Sequence, residues 1–265
     1  LLSMSHPDGD ISFFNDSAFG IAPNNSELFE YAKRLDIKFP IVENGITDLK
    51  NSGMLRMQSE DVVLIADLAE IGASYIPGHA HADTLSFELS MFGKRLFVNS
   101  GTSIYTIGSE RHRQRSTIAH NTVNVSGVNT SEVWSGFRVG ARAKIIKRNI
   151  RVSSKELHAS ATHNGYFRTF SGLLHKRTFS LYNKKLIISD QMNKNVLSEA
   201  RFYLHPDANI DFLTKESGHI FYSRGETINW SIDGALSIEI KASSWHPEFS
   251  LSKPNLCLVA KLSQS

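Results

Sequence analysis

The spacing of apolar positions divides the chain into a short helical beginning and a long strand-rich remainder. Over residues 26–35, Leu28, Tyr31, Ala32 and Leu35 recur at helical spacing; Ser26 is placed to serve as N-cap, Pro23 precedes it and Pro40 lies beyond its end. This is the one helix that the pattern predicts. Past residue 60 the period changes. Residues 61–66 form a short apolar run. Residues 84–91 alternate, with Leu85, Phe87, Leu89 and Met91 on one face and Ser86, Glu88 and Ser90 on the other. Gly93 and Lys94 make a turn, and residues 95–98 return as the second arm of a hairpin. Residues 121–125 alternate again, and strands are expected near 142–150, 155–162, 173–181, 185–190, 199–204, 219–222, 226–232, 234–241 and 255–261. Asn164-Gly165, Asn183-Lys184 and Asp233-Gly234 separate several of them. Many short strands with turns between them predict an all-β fold, a large antiparallel β-sandwich.

Composition narrows this picture only slightly. A chain of 265 residues with 41% hydrophobic and 21% charged content is long enough for one large globular domain or two modest ones. No apolar run is long enough to span a membrane. The net charge of +3 suits an anionic partner, but the basic residues are scattered and no nucleic-acid motif is present, which argues against a nucleic-acid protein. The single cysteine, Cys257, excludes an internal disulfide; its leucine neighbours suggest a buried thiol in a strand. The opening residues 1–6 have neither the basic head nor the apolar stretch of a signal peptide, and the chain reads as an excised piece of a longer one.

Two segments carry chemistry. In Pro77-Gly78-His79-Ala80-His81-Ala82-Asp83, an extended backbone would point both histidines and Asp83 the same way, a plausible site for proton transfer or metal binding. A solvent-exposed polar strand edge would show the same spacing. The second segment runs from Asn99-Ser100-Gly101-Thr102-Ser103-Ile104-Tyr105 through a loop to His120-Asn121. Its Arg111, Arg113 and Arg115 could grip carboxylates or sulfates bidentately, or simply form a solvated charged loop.

Together these residues resemble the signature of heparinase II/III-like proteins. The resemblance rests on Gly78-His79-Ala80-His81-Ala82-Asp83 with Ser86-Phe87-Glu88-Leu89, then Gly101-Thr102, Arg115-Ser116-Thr117 and Ala119-His120-Asn121-Thr122-Val123, in order and spacing over residues 75–127. Weaker similarity continues through Glu132-Val133-Trp134, His163-Asn164-Gly165-Tyr166 and Arg201-Phe202-Tyr203-Leu204-His205-Pro206. The opening His6-Pro7-Asp8-Gly9-Asp10 and Phe13-Phe14-Asn15-Asp16 resemble the end of the helical domain that precedes the sandwich in this family.

The resemblance implies an α/α toroid followed by a supersandwich. Residues 1–45 would be the end of the toroid and a linker, and residues 46–265 the sandwich. It implies a polysaccharide lyase that binds an acidic polysaccharide in the cleft between the domains and breaks it by β-elimination beside a uronic acid, in the periplasm or outside the cell. A base removes the C5 proton while the adjacent carboxylate is neutralised, and the C4–O bond then breaks. His79 takes the catalytic position; imidazole titrates near neutrality and suits proton transfer. Arg111, Arg113, Arg115 and Tyr105, the tyrosine nearest the motif, are candidates for substrate binding. The catalytic tyrosine and the carboxylate-neutralising group generally come from the toroid, so this chain alone is expected to be inactive. Some relatives bind zinc, and the matching positions are His81, Asn99 and His120. Asn99 stands where the family usually has aspartate, and a neutral amide is the poorer zinc ligand. Asp83 could compensate, and His163 is a weaker alternative to His120.

Two other readings compete. A non-catalytic carbohydrate-binding sandwich would stack sugars on Trp134, Phe137 and Trp245, unless these are core residues. A metal-dependent hydrolase or cupin-like enzyme would use the paired histidines with a further carboxylate or histidine.

Overall fold

The computed structural model describes residues 1–39 and 41–262, so Pro40 and the last three residues of the expected sandwich lie outside the described residues. Helix α1 (Asn25–Arg34) starts one residue before the expected N-cap. Asn24 caps it instead, because Glu27 stands three residues later and completes a reciprocal capping box with Asn24. A second helix, α2 (Ser109–Arg115), occupies the segment expected to be a loop.

The rest is antiparallel sheet. Strands β1 (Gly45–Leu49), β2 (Met54–Ser59), β3 (Val62–Asp67), β4 (Phe87–Met91) and β5 (Lys94–Phe97) form one five-stranded sheet in sequence order. β6 (Val123–Val125) follows α2, and β7 (Val133–Trp134) and β8 (Arg138–Val139) make a small hairpin. β9 (Ile145–Val152), β10 (Leu157–His163), β11 (His175–Tyr182) and β12 (Lys185–Met192) form a four-stranded meander. β13 (Ser198–Tyr203), β17 (Ala235–Trp245) and β18 (Lys253–Leu262) join β6 in the order β17-β18-β13-β6. β14 (Ala208–Phe212), β15 (Ser217–Tyr222) and β16 (Thr227–Ser231) close a three-stranded sheet. This is the all-β antiparallel architecture that the pattern predicts. β1, β2, β7, β8 and β14 are not among the expected strands, and the strand that begins at 84 in the alternation begins at Phe87. Leu85 takes a left-handed backbone (φ 63°), which breaks the extended run before it can pair. The turn after β4 is formed by Phe92 and Gly93, both at positive φ, and returns the chain into β5. Cys257 is buried in β18, as its neighbours suggest.

The main core lies between the five-stranded sheet and the meander. Leu64, Phe87 and Leu89 face Ala159, Ala161, Phe179 and Leu181, with Leu204, Ile220 and Leu258 from the other sheets closing the cluster. Phe87 is fully buried and its ring meets Phe97, Phe179 and Phe202 at centroid distances of 6.0, 5.7 and 6.2 Å. The polar face of β4 is not solvated, contrary to what strict alternation suggests: Glu88 and Ser90 are buried as completely as Phe87. Residues near the N-terminus cover them. His6 meets Ser90 Oγ at 2.7 Å and Glu88 Oε2 at 3.0 Å, and the amides of Phe13 and Asn99 donate to Glu88. Arg95 holds Asp8 from the same sheet. The opening segment is therefore fixed on the sandwich by buried polar bonds whose loss would leave charges unmatched.

A second buried polar chain ties the meander to the loop before β4. Arg177, fully buried, forms two bonds with Asp190 and donates to the carbonyls of Leu85 and Asn121. Burial alone would raise the Asp190 pKa, but the Arg177 charge and hydrogen bonds from His175 and Arg177 hold it well below the ordinary carboxylate range. The charged form is thus favoured by folding. Its contribution is complete above the ordinary aspartate value of 3.8 and is lost as pH falls through the depressed value.

Phe87→Ala should cost about 3–5 kcal/mol, read from urea unfolding. Asp190→Asn should cost about 3–5 kcal/mol at neutral pH by stranding Arg177. The gap between Asp190→Asn and the parent should narrow as the same unfolding measurement is carried below about pH 4, where the unfolded chain begins to bind the proton that folded Asp190 excludes.

Candidate functional site

The segment from Pro77 to Thr84 is an irregular loop, not a strand, so same-side projection of its side chains cannot come from strand parity. It is laced to residues 15 and 16 instead. The Asp16 amide donates to the His79 carbonyl (3.1 Å), the His81 amide donates to Asn15 Oδ1 (3.1 Å), and the Asn15 amide donates to Asp83 Oδ2 (3.2 Å). The Asp16 carboxylate lies beneath the loop with a side chain only 1% exposed. His79 Nδ1 reaches Asp16 Oδ2 at 2.9 Å and His81 Nε2 reaches Oδ1 at 2.8 Å. Both nitrogens of the Arg111 fork donate to the same carboxylate, and Thr102 Oγ1 donates to it at 3.2 Å. Burial would raise the Asp16 pKa, but hydrogen bonds from His81 and Arg111 and their charge bring it well below the carboxylate range. Asp16 is therefore an anion, and both histidines direct an N–H at it.

The loop that supplies Thr102 and Tyr105 turns at Gly101, where φ is +73° and a Cβ would stand 2.2 Å from the His246 carbonyl oxygen. Only glycine fits that approach. Tyr105 and Phe137 flank His79, with ring centroids 5.8 and 5.4 Å away, and lie 5.1 Å from each other. The Arg111 guanidinium sits against both rings at 5.0 and 5.2 Å. Desolvation, then the Asp16 charge, raise the Tyr105 pKa.

His79, His81 and His120 thus form one cluster, but their exposures differ. The His79 side chain is 65% exposed, whereas His81 and His120 are sealed. Burial lowers the pKa of His81 against the pull of Asp16, and burial plus the neighbouring His81 place His120 well below its ordinary value. His81 Nε2 must carry hydrogen toward Asp16, and His120 Nδ1 must carry hydrogen toward the Ser116 carbonyl 2.9 Å away. In neutral rings, the bare nitrogens His81 Nδ1 and His120 Nε2 then face each other at 3.2 Å. The other buried pair has no such conflict. The Gly165 amide donates to His163 Nδ1, His163 Nε2 lies 3.0 Å from His175 Nδ1, and His175 Nε2 reaches Asp190 at 2.7 Å, so each N–H finds an acceptor. His163, the alternative to His120, belongs to that separate chain.

The other expected site residues are distributed differently. Because 111–115 is helical, Arg111 and Arg115 share its buried face, four residues apart. Both are 1% exposed, Arg111 on Asp16 and Gly136 and Arg115 on the carbonyls of Ala80, Trp134, Ser135 and Arg138. Burial, then the Arg111 charge, bring the Arg115 pKa down to about 10. These two cannot grip a substrate anion; they brace the histidine loop. Arg113 is half-buried and held by Glu110 and Ser244. The Asn99 amide donates to the Phe13 carbonyl and accepts from the Asn121 amide. Asp83 bonds Asn15 away from the imidazoles, and its pKa is pushed up to about 7 by burial. Trp245 is buried against Phe13, Phe19 and His205 and is a core residue, whereas Trp134 and Phe137 are exposed. Among the described residues no group of three or more His, Cys, Asp or Glu side chains stands ready to hold a metal ion. Asp16 is the residue that sequence reasoning missed. Its motif, Phe13-Phe14-Asn15-Asp16, was visible, but nothing local indicated that it meets residues 79–81.

A model of the heparinase II/III-like C-terminal family matches residues 42–259. The chain belongs to this family. The fold agrees with solved structures of heparan sulfate lyase HepC from Pedobacter heparinus (18% identity, TM-score 0.77, covering 100% of this chain and 43% of that one). It also agrees with the heparinase III-BT4657 gene product (14% identity, TM-score 0.77, 99% and 42%) and with a further heparinase III (16% identity, TM-score 0.76, 100% and 45%). The chain spans less than half the length of these relatives. Comparison with curated protein sequences finds no match.

Proposed function

We propose that this heparinase II/III-like chain is the sandwich part of a lyase that cleaves uronate-containing polysaccharide by β-elimination, with His79 as its proton-transferring group. The observation that carries this reading is the asymmetry of the cluster: His79 alone opens to solvent, while Asp16 holds its Nδ1 and leaves Nε2 free to face a substrate. The carboxylate fixes the ring's tautomer and direction, so the free nitrogen can take or return a proton at a set position. As the C5–H bond breaks, its electrons form the C4=C5 double bond and the C4–O pair leaves with the departing sugar, which must gain a proton. Tyr105 and Phe137 line the approach to His79 and would contact the sugar beside it.

A toroid preceding the sandwich would supply the catalytic tyrosine and the group that neutralises the uronate. The apolar side chains of Tyr31, Leu35, Ile37 and Ile41, all more than half exposed, support a helical neighbour on that side. We also propose secretion or periplasmic placement, which suits an external polymer; no helix among the described residues is long and apolar enough to cross a membrane. The carbohydrate-binding reading keeps Trp134 and Phe137 as exposed platforms, but it gives the Asp16–His79 pair no task.

Zinc is the ion that the sealed histidine pair would take. His81 Nδ1 and His120 Nε2 present bare nitrogens to one another, and each ring's other N–H is held by Asp16 or the Ser116 carbonyl, the second shell that metal-bound histidines favour. Asn99, the third position that the resemblance implies, would add only a weak ligand through the Oδ1 that already accepts from the Asn121 amide. Bound zinc would lock both rings and place positive charge beside the anionic Asp16.

This chain alone should release no unsaturated product from heparan sulfate or alginate, followed by absorbance; robust turnover would refute the need for a toroid. In the protein carrying its toroid, His79→Ala should lower kcat about 10²–10⁴-fold, and Asp16→Asn roughly 10²-fold with a smaller change in KM. Elemental analysis should find one zinc per chain, lost in His120→Ala; a metal-free parent would remove the zinc proposal and leave His79 untouched.

A further inference from the structure

The outer face of the β9–β12 meander carries charge of one sign. Register places Lys147, Thr162, Lys176 and Gln191 in one row across the four strands, Asn149, Ser160, Thr178 and Ser189 in the next, and Arg151, His158, Ser180 and Ile187 in a third. Tyr182 and Lys185 pair beyond them. Alternation sends Ala159, Ala161, Arg177, Phe179 and Asp190 to the opposite, core-facing side, so no carboxylate belongs to this face. Glu156, at the turn before β10, lies at its border, 3.5 Å from His158 and interacting with Ser180 and Tyr182, and Asp61 meets Lys184 at the β11–β12 turn.

Some basic side chains elsewhere find carboxylates, among them Arg95 with Asp8, Arg148 with Asp48, Lys184 with Asp61 and Lys261 with Glu239. Among the described residues Lys147, Arg151, Lys176 and Lys185 form no ion pair. Strand geometry sets their spacing. Lys147 and Lys176, two strands apart, stand about 10 Å from each other, and Lys147 and Arg151, four residues apart on β9, about 13 Å. Between them lie half-buried Thr162 and Thr178 and exposed Asn149, Ser189 and Gln191, able to donate to, or accept from, sugar oxygens, whereas Ser160 and Ser180 are buried. Arg177, on the core side, donates to the carbonyls of Leu85 and Asn121 at the base of the histidine loop, so the basic face points away from His79.

We infer that this face is a second, non-catalytic binding surface for a linear acidic polysaccharide. Charge complementarity selects the ligand: four unpaired cations spread over a flat, hydroxyl-rich sheet match anionic groups repeated along a polymer. A single exposed aliphatic residue, Ile187, offers too little apolar area for a lipid surface. Holding the polymer here would raise the effective concentration of its other stretches at the His79 cleft. The choice of polymer rests on the lyase reading, but binding at this face needs no turnover.

The test is the affinity of this chain for a labelled heparan sulfate oligosaccharide and an alginate oligosaccharide, by fluorescence anisotropy over a range of NaCl. The variant Lys147→Gln/Arg151→Gln/Lys176→Gln/Lys185→Gln is compared with Lys38→Gln/Lys50→Gln/Lys215→Gln/Lys253→Gln, which removes the same charge elsewhere. Both are first matched to the parent by urea unfolding, and Lys147→Gln/Arg151→Gln alone, on edge strand β9, serves if the fourfold variant fails that match. The face variant should raise Kd at least about tenfold and flatten its salt dependence, with the charge-matched control within about threefold of the parent. An unchanged Kd in the face variant, an equal loss in the charge-matched control, or equally tight binding of duplex DNA at this face would overturn the proposal. Failure of the lyase reading would be seen separately, as no unsaturated product from the toroid-bearing protein.

Discussion

The buried carboxylate of Asp16 is the contact on which the rest of the site depends. It accepts from both nitrogens of the Arg111 fork, from Thr102 and from two imidazoles, which gathers the opening segment, the Gly101 loop, α2 and the histidine loop on one anion. An ion sealed from water at such a junction is tolerated only because each lone pair has a donor. Its partners are therefore fixed in direction. His79 has one nitrogen held and the other free, and His81 turns its bare nitrogen toward His120.

The two buried histidine pairs show how the same residues serve different ends. His163 and His175 sit in an ordered relay ending on Asp190, with a donor for each acceptor, and lock the meander to the core. His81 and His120 have both outer positions committed to acceptors, so their inner nitrogens compete for one proton or one cation. Burial lowers the pKa of all four rings, so what separates the two pairs is their hydrogen-bond partners.

The arginines follow the same logic. Three in alternate positions suggest a charged loop reaching for an anion, but folding them into α2 turns two of them inward. Arg111 finds its carboxylate within the protein and Arg115 four backbone carbonyls, one of them on Ala80 between the histidines. Cationic surface is found instead on the meander, where period-two alternation leaves lysines outside and the core residues within.

The amino-acid order by itself determined the class of fold and the address of the chemistry. Period-two patterning and turn residues are local properties, so most strands and the all-β architecture could be read directly, and the His79–Asp83 and Ala119–Val123 segments marked the family. Only the tertiary structure decided which side chains meet and which meet water. Glu88 and Ser90 look like a solvated face until residues 1–20 cover them, α2 has too weak an apolar pattern to announce itself, and Asp16 lies 63 positions from His79 along the chain yet within hydrogen-bond reach of it in space. Burial and long-range pairing are properties of the whole packed molecule, and no window of local sequence contains them.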